Sequence, residues 1–126
     1  MNTQAMPNYL LSYDGDCRFC EFCVAHARVM TAGAVDFVPY QKLSAEFRRQ
    51  HALDYAAAIH LFDGDQLLVS GAGAAFFIRA LAGKPRWWRC YQRHPRFAGL
   101  SEWLYRWVSR HRGACHAVAR RFWPEP

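Results

Sequence analysis

The chain has 126 residues, 52% of them hydrophobic and 16% aromatic, with a formal net charge of +6. That is enough for one domain around one apolar core, and it excludes disorder by composition. No uninterrupted apolar run reaches about 18 residues, so the pattern contains no membrane-spanning helix. Met1 to Asn8 shows neither a basic start nor an apolar run, so no secretory signal is read there. Five cysteines, an odd number, argue against a closed disulfide framework, and reduced thiols in the cytoplasm are the expected state.

Taken in chain order, Tyr9 to Tyr13 reads as a short strand, and Asp14-Gly15-Asp16 as turn chemistry ahead of a helix. From Cys17 to about Ala32 the positions Phe19, Phe22, Cys23, His26, Val29 and Met30 recur at helical spacing. Arg18, Glu21 and Arg28 occupy the opposite face, and Gly33 suits the helix stop. Ala34 to Tyr40 is a second strand whose end is weakened by Pro39, and Ser44 to Gln50 is a short polar helix. Ala57 to Phe62 and Gln66 to Ser70, joined by Asp63-Gly64-Asp65, give the clearest hairpin signal. After Gly71-Ala72-Gly73, residues 74–82 form a helix of small and aromatic residues. The predicted order is β-α-β-α-β-β-α. At Gly83-Lys84-Pro85 the composition shifts: residues 1–83 carry a charge of −2, residues 84–126 carry +8, and all five tryptophans lie in the second part.

The chemistry centres on Cys17-Arg18-Phe19-Cys20, at the turn from first strand to first helix. Two thiols at that spacing are placed to form and break a disulfide. Backbone N–H groups of a helix's first turn point at the first sulfur and favour its thiolate, which is the attacking species. Cys17 is therefore the expected nucleophile, and Cys20, one turn inside, the thiol that resolves the mixed disulfide. Arg18 adds positive charge near the first thiol, while Asp14 and Asp16 add negative charge. Asp14 at the strand end either accepts the proton of Cys20 or serves as a cap or ion-pair partner. A structural or metal-bound role for the pair is the plainer alternative, and the strand–turn–helix setting favours redox.

The segment Tyr13-Asp14-Gly15-Asp16-Cys17-Arg18-Phe19-Cys20 resembles the small thiol–disulfide oxidoreductases named for their Asp-x-x-Cys-x-x-Cys signature, the DCC family. Asp14, Cys17 and Cys20 match that signature. The likeness continues through the Asp63-Gly64 hairpin and the Gly71/Ala74 helix start to Pro95 and Leu104-Tyr105-Arg106 through Arg112, which resemble the family's closing Pro…Tyr-Arg…Arg pattern. The resemblance implies a thioredoxin-like fold and disulfide reductase activity. Two departures stand out. Ala72 and Gly73 replace the family's usual polar pair after the glycine, removing the expected helix cap. Asp54-Tyr55-Ala56-Ala57-Ala58 also lacks the proline that thioredoxins and glutaredoxins place against the redox pair.

Other features carry weaker signals. Cys23 completes a C-x2-C-x2-C run, but the ferredoxin spacing would need cysteine where Ala27 stands. A buried packing thiol is its main reading, ahead of an auxiliary redox thiol or a metal ligand. Cys17 and Cys23, six residues apart on a helix, sit about 9 Å apart, too far for a disulfide. His26 reads as a satisfied core histidine. Cys90/His94 and His111/Cys115 are each spaced i, i+4 and could form a Cys2His2 zinc site, but Pro95 and Gly113 interrupt those helices; no metal is expected. Gly71 and Gly73 lack the rest of a phosphate-loop or dinucleotide motif. By analogy with glutaredoxin-like folds, that helix start could hold a glutathione carboxylate, making glutathione a candidate co-substrate, with tight-turn glycines as the alternative.

In the basic tail, Leu100, Trp103, Leu104, Trp107 and Val108 form one apolar stripe, while Arg106 and Arg110 share the other face. A pair of helices packing over the sheet with a solvated basic face is the first reading. An anionic membrane surface or acidic partner comes second, and nucleic acid ranks below both. The expected organisation is a thioredoxin-like redox core over 1–83 and a basic, Trp-rich helical extension over 84–126, packed on the core. The expected function is thiol–disulfide exchange of the protein-disulfide reductase type through Cys17 and Cys20, acting on a protein or small-molecule disulfide with no bound cofactor. The alternative is a non-catalytic thioredoxin-like module that binds a membrane or polyanion through its tail.

Overall fold

The structure, a computed structural model, describes residues 9–123. The segment Met1–Asn8, read above for a targeting signal, lies outside them. Four strands, β1 (Tyr9–Tyr13), β2 (Val35–Pro39), β3 (His60–Asp63) and β4 (Gln66–Ser70), form one sheet in the order β2-β1-β3-β4. β1 runs parallel to β2 and antiparallel to β3, and β3 and β4 form the expected hairpin. A parallel neighbour requires a crossover, which α1 (Arg18–Thr31) supplies. A 3-10 turn at Tyr40–Lys42 and α2 (Ala45–Gln50) follow β2, and α3 (Gly71–Leu81) follows β4. This mixed α/β arrangement is a thioredoxin-like fold.

Side-chain alternation on β3 shows how the sheet is covered. Leu61 joins Leu11, Tyr13, Val24, Val35, Phe37, Ala74 and Ile78 in the core beneath α1 and α3. Phe62 points the other way and meets the rings of Phe47 and His51 at 4.9 and 5.1 Å. α2 is capped as its sequence suggests, with the Phe47 N–H donating to Ser44 Oγ at 3.0 Å.

Several boundaries differ from expectation. β3 starts at His60, because residues 57–59 are held outside the ladder by contacts described below. α3 begins at Gly71 itself, whose φ of 63° is the left-handed bend that turns β4 directly into the helix. α1 ends at Ala32 with φ 50°, and Gly33 follows at φ 90°.

The face of α1 is also rotated. Val24 and Thr31 are buried, with Cys20 and Ala27 packed beside them toward the sheet. Val29 and Met30, expected inside, are exposed, because the small residues at 20, 24, 27 and 31 let the helix sit close to the strands. Arg18, Glu21 and Arg28 are exposed as expected, and Arg28 also donates to Phe37 O at 3.3 Å and lies over that ring. Phe19, Phe22 and His26 face a different neighbour, the last helix of the chain.

Residues beyond the expected boundary form three helices rather than a pair: α4 (Arg86–Arg93), α5 (Pro95–Arg110) and α6 (Arg112–Phe122). α4 and α5 lie against α3, and α6 against α1. Not one residue of the three is fully buried. On α5 the apolar stripe faces outward: Leu100, Trp103, Leu104 and Trp107 are 64, 56, 52 and 45% exposed. Its inward side is polar and carries Glu102, Tyr105 and Ser109. The expected packing of that stripe over the sheet is therefore overturned, since the inward positions are needed for hydrogen bonds to the core. No helix among the described residues is long and apolar enough to cross a membrane.

Candidate active site

The turn Asp14-Gly15-Asp16 places Cys17 as the N-cap of α1, with extended backbone (φ −107°, ψ 116°). Cys17 Sγ takes the place a serine oxygen would fill and accepts the Cys20 N–H at 3.2 Å. Both thiols are unbridged and half-buried, and the Cys20 thiol hydrogen-bonds Cys17. Burial, then that hydrogen bond, pushes the Cys20 thiol up to about 12, with nearby Arg112 opposing the rise. Cys20 is therefore a protonated thiol at neutral pH, sitting over the core.

The turn itself is held from β2's far end. Gly15 N–H donates to Gln41 Oε1 at 3.0 Å, and Gln41 Nε2 donates to Asp14 Oδ1 at 2.9 Å and Asp16 Oδ2 at 3.3 Å. Asp16 N–H also donates to Asp14 Oδ1 at 3.0 Å. A Cβ on Gly15 would lie 2.8 Å from Pro39 Cβ, so the close approach of the turn to β2 requires glycine there.

The cation whose charge acts on the two thiols is Arg112, the first residue of α6, rather than the adjacent Arg18. Arg112 Nη1 donates to Asp14 Oδ2 at 3.2 Å, and the pair is well shielded, with side chains 21 and 16% exposed. Arg112 Nη2 donates to Ala56 O at 2.8 Å and to Ser109 Oγ at 3.0 Å. Burial opposes the guanidinium's charge, but the nearby Cys20, Cys17 and Asp14 outweigh it and hold its pKa above the usual value. Arg18 is exposed on the first turn of α1 and makes no ion pair among the described residues.

The loop before β3, which lacks a proline, is strapped by the same tail. Tyr105 Oη accepts the Ile59 N–H at 3.0 Å, Ser109 Oγ donates to Ala57 O at 2.7 Å, and Gly71 N–H donates to Ile59 O at 3.0 Å. Burial, and to a lesser extent Cys20, pushes the Tyr105 phenol up to about 12, so it stays a neutral hydroxyl. His60, at the start of β3, is held below its ordinary range by burial, its ring between Ser70 Oγ (2.6 Å) and Asp54 O (3.2 Å).

The glycine-rich helix start is already occupied. Glu102 of α5 accepts the Ala72 N–H at 3.1 Å and the Gly73 N–H at 3.2 Å, and takes the Tyr91 hydroxyl at 2.6 Å. An internal carboxylate thus fills the position expected of Gly71 and Gly73 for a glutathione carboxylate, and that assignment is corrected. The same contact supplies the cap that Ala72 and Gly73 cannot provide themselves.

The remaining cysteines and histidines are dispersed. Cys23, expected to be buried, is exposed as a residue on the side of α1 turned toward α6, while desolvation of its sulfur, then Cys17 and Cys115, pushes the thiol up to about 11. His26, expected to be satisfied, has its Nε2 buried without a hydrogen-bond partner among the described residues, its ring instead meeting Phe22 edge-on at 4.8 Å. His111 stacks on Trp107 at 4.3 Å. No cluster of three or more His, Cys, Asp or Glu side chains placed to hold a metal occurs among the described residues, and the two i, i+4 pairs do not converge.

A two-thiol turn at a helix N-terminus, on this sheet and with this sequence, agrees with a family comparison: residues 11–117 match the model described as DCC1-like thiol-disulfide oxidoreductase. The chain belongs to that family. No curated protein and no solved structure matches it. The family span runs from β1 into α6 and so contains Arg112, Tyr105 and Glu102 as well as the cysteine pair. In the sequence Arg112 stands out only as the residue that closes the Pro…Tyr-Arg…Arg pattern that carries the resemblance. Gln41 and Glu102 had no local signal, since the turn that Gln41 holds and the N–H groups that Glu102 accepts are 25 to 30 residues away.

Proposed function

We propose that the protein is a thiol–disulfide oxidoreductase of the protein-disulfide reductase type, using Cys17 as nucleophile and Cys20 as resolving thiol. The observation that carries this reading is the asymmetry of the pair. Cys17 Sγ caps α1 and receives a backbone N–H, whereas burial holds Cys20 as a protonated thiol with a pKa near 12. Only one of two thiols so arranged is ready to attack.

In the reductive direction the Cys17 thiolate attacks one sulfur of a protein or small-molecule disulfide. A Cys17–substrate disulfide forms, and the other substrate sulfur departs as a thiolate, which takes the proton of Cys20. The Cys20 thiolate then attacks Cys17 Sγ, closing the Cys17–Cys20 disulfide and releasing the second substrate thiolate to be protonated by water. The substrate gains two electrons and the protein loses two, which an external dithiol restores. Asp14, engaged by Arg112, Gln41 and Asp16 N–H, acts in this scheme by holding Arg112 near the thiols rather than as the base. Tyr105 and Gly71 occupy both backbone groups of Ile59, so a substrate meets side chains and sulfur there rather than a free strand edge.

The test is turnover of a protein disulfide with a dithiol as reductant, using wild type, Cys17→Ser and Cys20→Ser. Cys17→Ser should abolish turnover, and Cys20→Ser should accumulate a mixed disulfide between Cys17 and the substrate. Equal, negligible rates in all three would overturn the reading in favour of a non-catalytic module.

A further inference from the structure

α5 displays two faces of opposite chemistry, and the core explains only one of them. At 3.6 residues per turn, Leu100, Trp103 and Trp107 fall within one narrow arc, with Leu104 beside them and Arg106 and Arg110 along the opposite edge of that arc. Tyr105 and Glu102 lie on the far side, where their hydrogen bonds fix them to the core. The outward face is therefore presented in a set orientation, and its four side chains stay 45 to 64% exposed even with His111 stacked on Trp107.

Charge narrows what could cover it. Among residues 84–123 the only acidic side chain is Glu102, and it is turned inward. Arg96, Arg106 and Arg110 are exposed and have no acidic partner among the described residues. A second copy of this chain would bring a like-charged face against them. The exposed stripe is also a convex ridge rather than a groove. Two shallow depressions, at residues 85–94 and at 117–123, belong to α4 and α6 rather than to this stripe, and arginines make up half of each lining. A ridge of Leu and Trp edged by Arg suits a surface it can sink into, with acyl chains beneath and phosphates at the rim.

We propose that α5 is a peripheral docking helix that lies in the plane of an anionic lipid bilayer. Leu100, Trp103, Leu104 and Trp107 enter the headgroup–acyl boundary, and Arg106 and Arg110 meet lipid phosphates. The proposal does not rest on the oxidoreductase reading. It would leave the Cys17–Cys20 site on the side of α5 turned away from the bilayer, where Tyr105 lies.

Flotation of the full chain with vesicles of phosphatidylglycerol and phosphatidylcholine, against phosphatidylcholine alone, tests it. Binding should occur on the anionic vesicles and weaken as salt is raised. Leu100→Ser/Trp103→Ser should bind about tenfold or more weakly, as the loss of two buried apolar side chains requires. Arg106→Glu/Arg110→Glu should lose a comparable factor. Both variants alter only exposed side chains, and an unchanged thermal midpoint and disulfide turnover would show that they fold. Salt-sensitive binding that the Leu100/Trp103 variant leaves intact would overturn the proposal, since it would mean adsorption by charge alone. Absence of vesicle binding would overturn it in favour of an acidic protein partner. A wild-type dimer in sedimentation, dispersed by the Leu100/Trp103 substitutions, would overturn it in favour of a second copy.

Discussion

The sheet with α1 and α3 and the three tail helices are built on opposite principles. The first region buries Leu11, Tyr13, Leu61, Phe62, Ala74 and Ile78, and its order is that of an apolar core. The second has no fully buried residue, yet it delivers Glu102 to the start of α3, Tyr105 to Ile59 and Arg112 to Asp14. Apolar burial is tolerant of partner identity, whereas these polar contacts depend on particular atoms. The comparison teaches that the tail's attachment and the completion of the redox site are the same set of bonds. Changes in the first region should therefore act mainly on stability, and changes in the second mainly on the sulfurs and the loop beside them.

The sharpest contrast comes from the core. Phe62 is fully buried between Phe47 and His51, and Phe62→Ala should cost about 3–5 kcal/mol in urea denaturation, enough to compromise folding. A loss below about 1 kcal/mol would show that the α2 side of the sheet is not a packed layer.

Next in size is the contact that joins the two regions. Glu102→Ala leaves Ala72 N–H, Gly73 N–H and the Tyr91 hydroxyl without their acceptor, at a cost of about 1–3 kcal/mol by thermal denaturation. Glu102→Gln keeps an acceptor oxygen and should lose less. Equal losses in the two variants would mean that the carboxylate's charge, not its geometry, carries the cap.

Alkaline pH loads both regions at once. Cys20, Tyr91 and Tyr105 are pushed up to about 12 and Cys23 to about 11, against ordinary values of 9.0 for a thiol and 10.0 for a phenol. The unfolded chain therefore releases these protons first, so the stability they contribute is complete below about 9 and is lost as pH rises toward 12. The urea midpoint of the dithiol form should fall over that window. It should fall less steeply once a Cys17–Cys20 disulfide has removed one of the thiols, and identical slopes in the two forms would contradict the burial assigned to Cys20.

The smallest effect is local. Ala32 ends α1 with φ 50°, where its Cβ is strained, so Ala32→Gly should stabilise the protein by about 0.5–1 kcal/mol in thermal melts without touching the exchange rate.

Much of this was legible in the sequence. Turn chemistry and apolar runs gave the β-α-β-α-β-β-α order, and the Asp14–Cys17–Cys20 signature located the redox turn. The helix faces were legible only in part in α1, where Phe22 is buried and Arg18, Glu21 and Arg28 are exposed as read, and not in α5. Reading the bulkiest apolar stripe as the buried one fails where close packing selects small residues, as at Cys20, Val24, Ala27 and Thr31. It fails again where hydrogen-bond demand selects polar ones, as at Glu102, Tyr105 and Ser109. Arg112 and Gln41 were missed as site residues because nothing in their local sequence reveals a partner across the fold. Arg112 was visible only as the last residue of a family pattern.

The most direct test of the central claim, that a tail arginine completes the thiol site, is the rate of alkylation of each cysteine at neutral pH in wild type and Arg112→Leu, resolved by mass spectrometry. Cys17 should label ahead of Cys20 in the wild type, and removal of the guanidinium should slow Cys17 several-fold, with partial recovery in Arg112→Lys. Faster labelling of Cys20 than Cys17, or a Cys17 rate indifferent to residue 112, would contradict it.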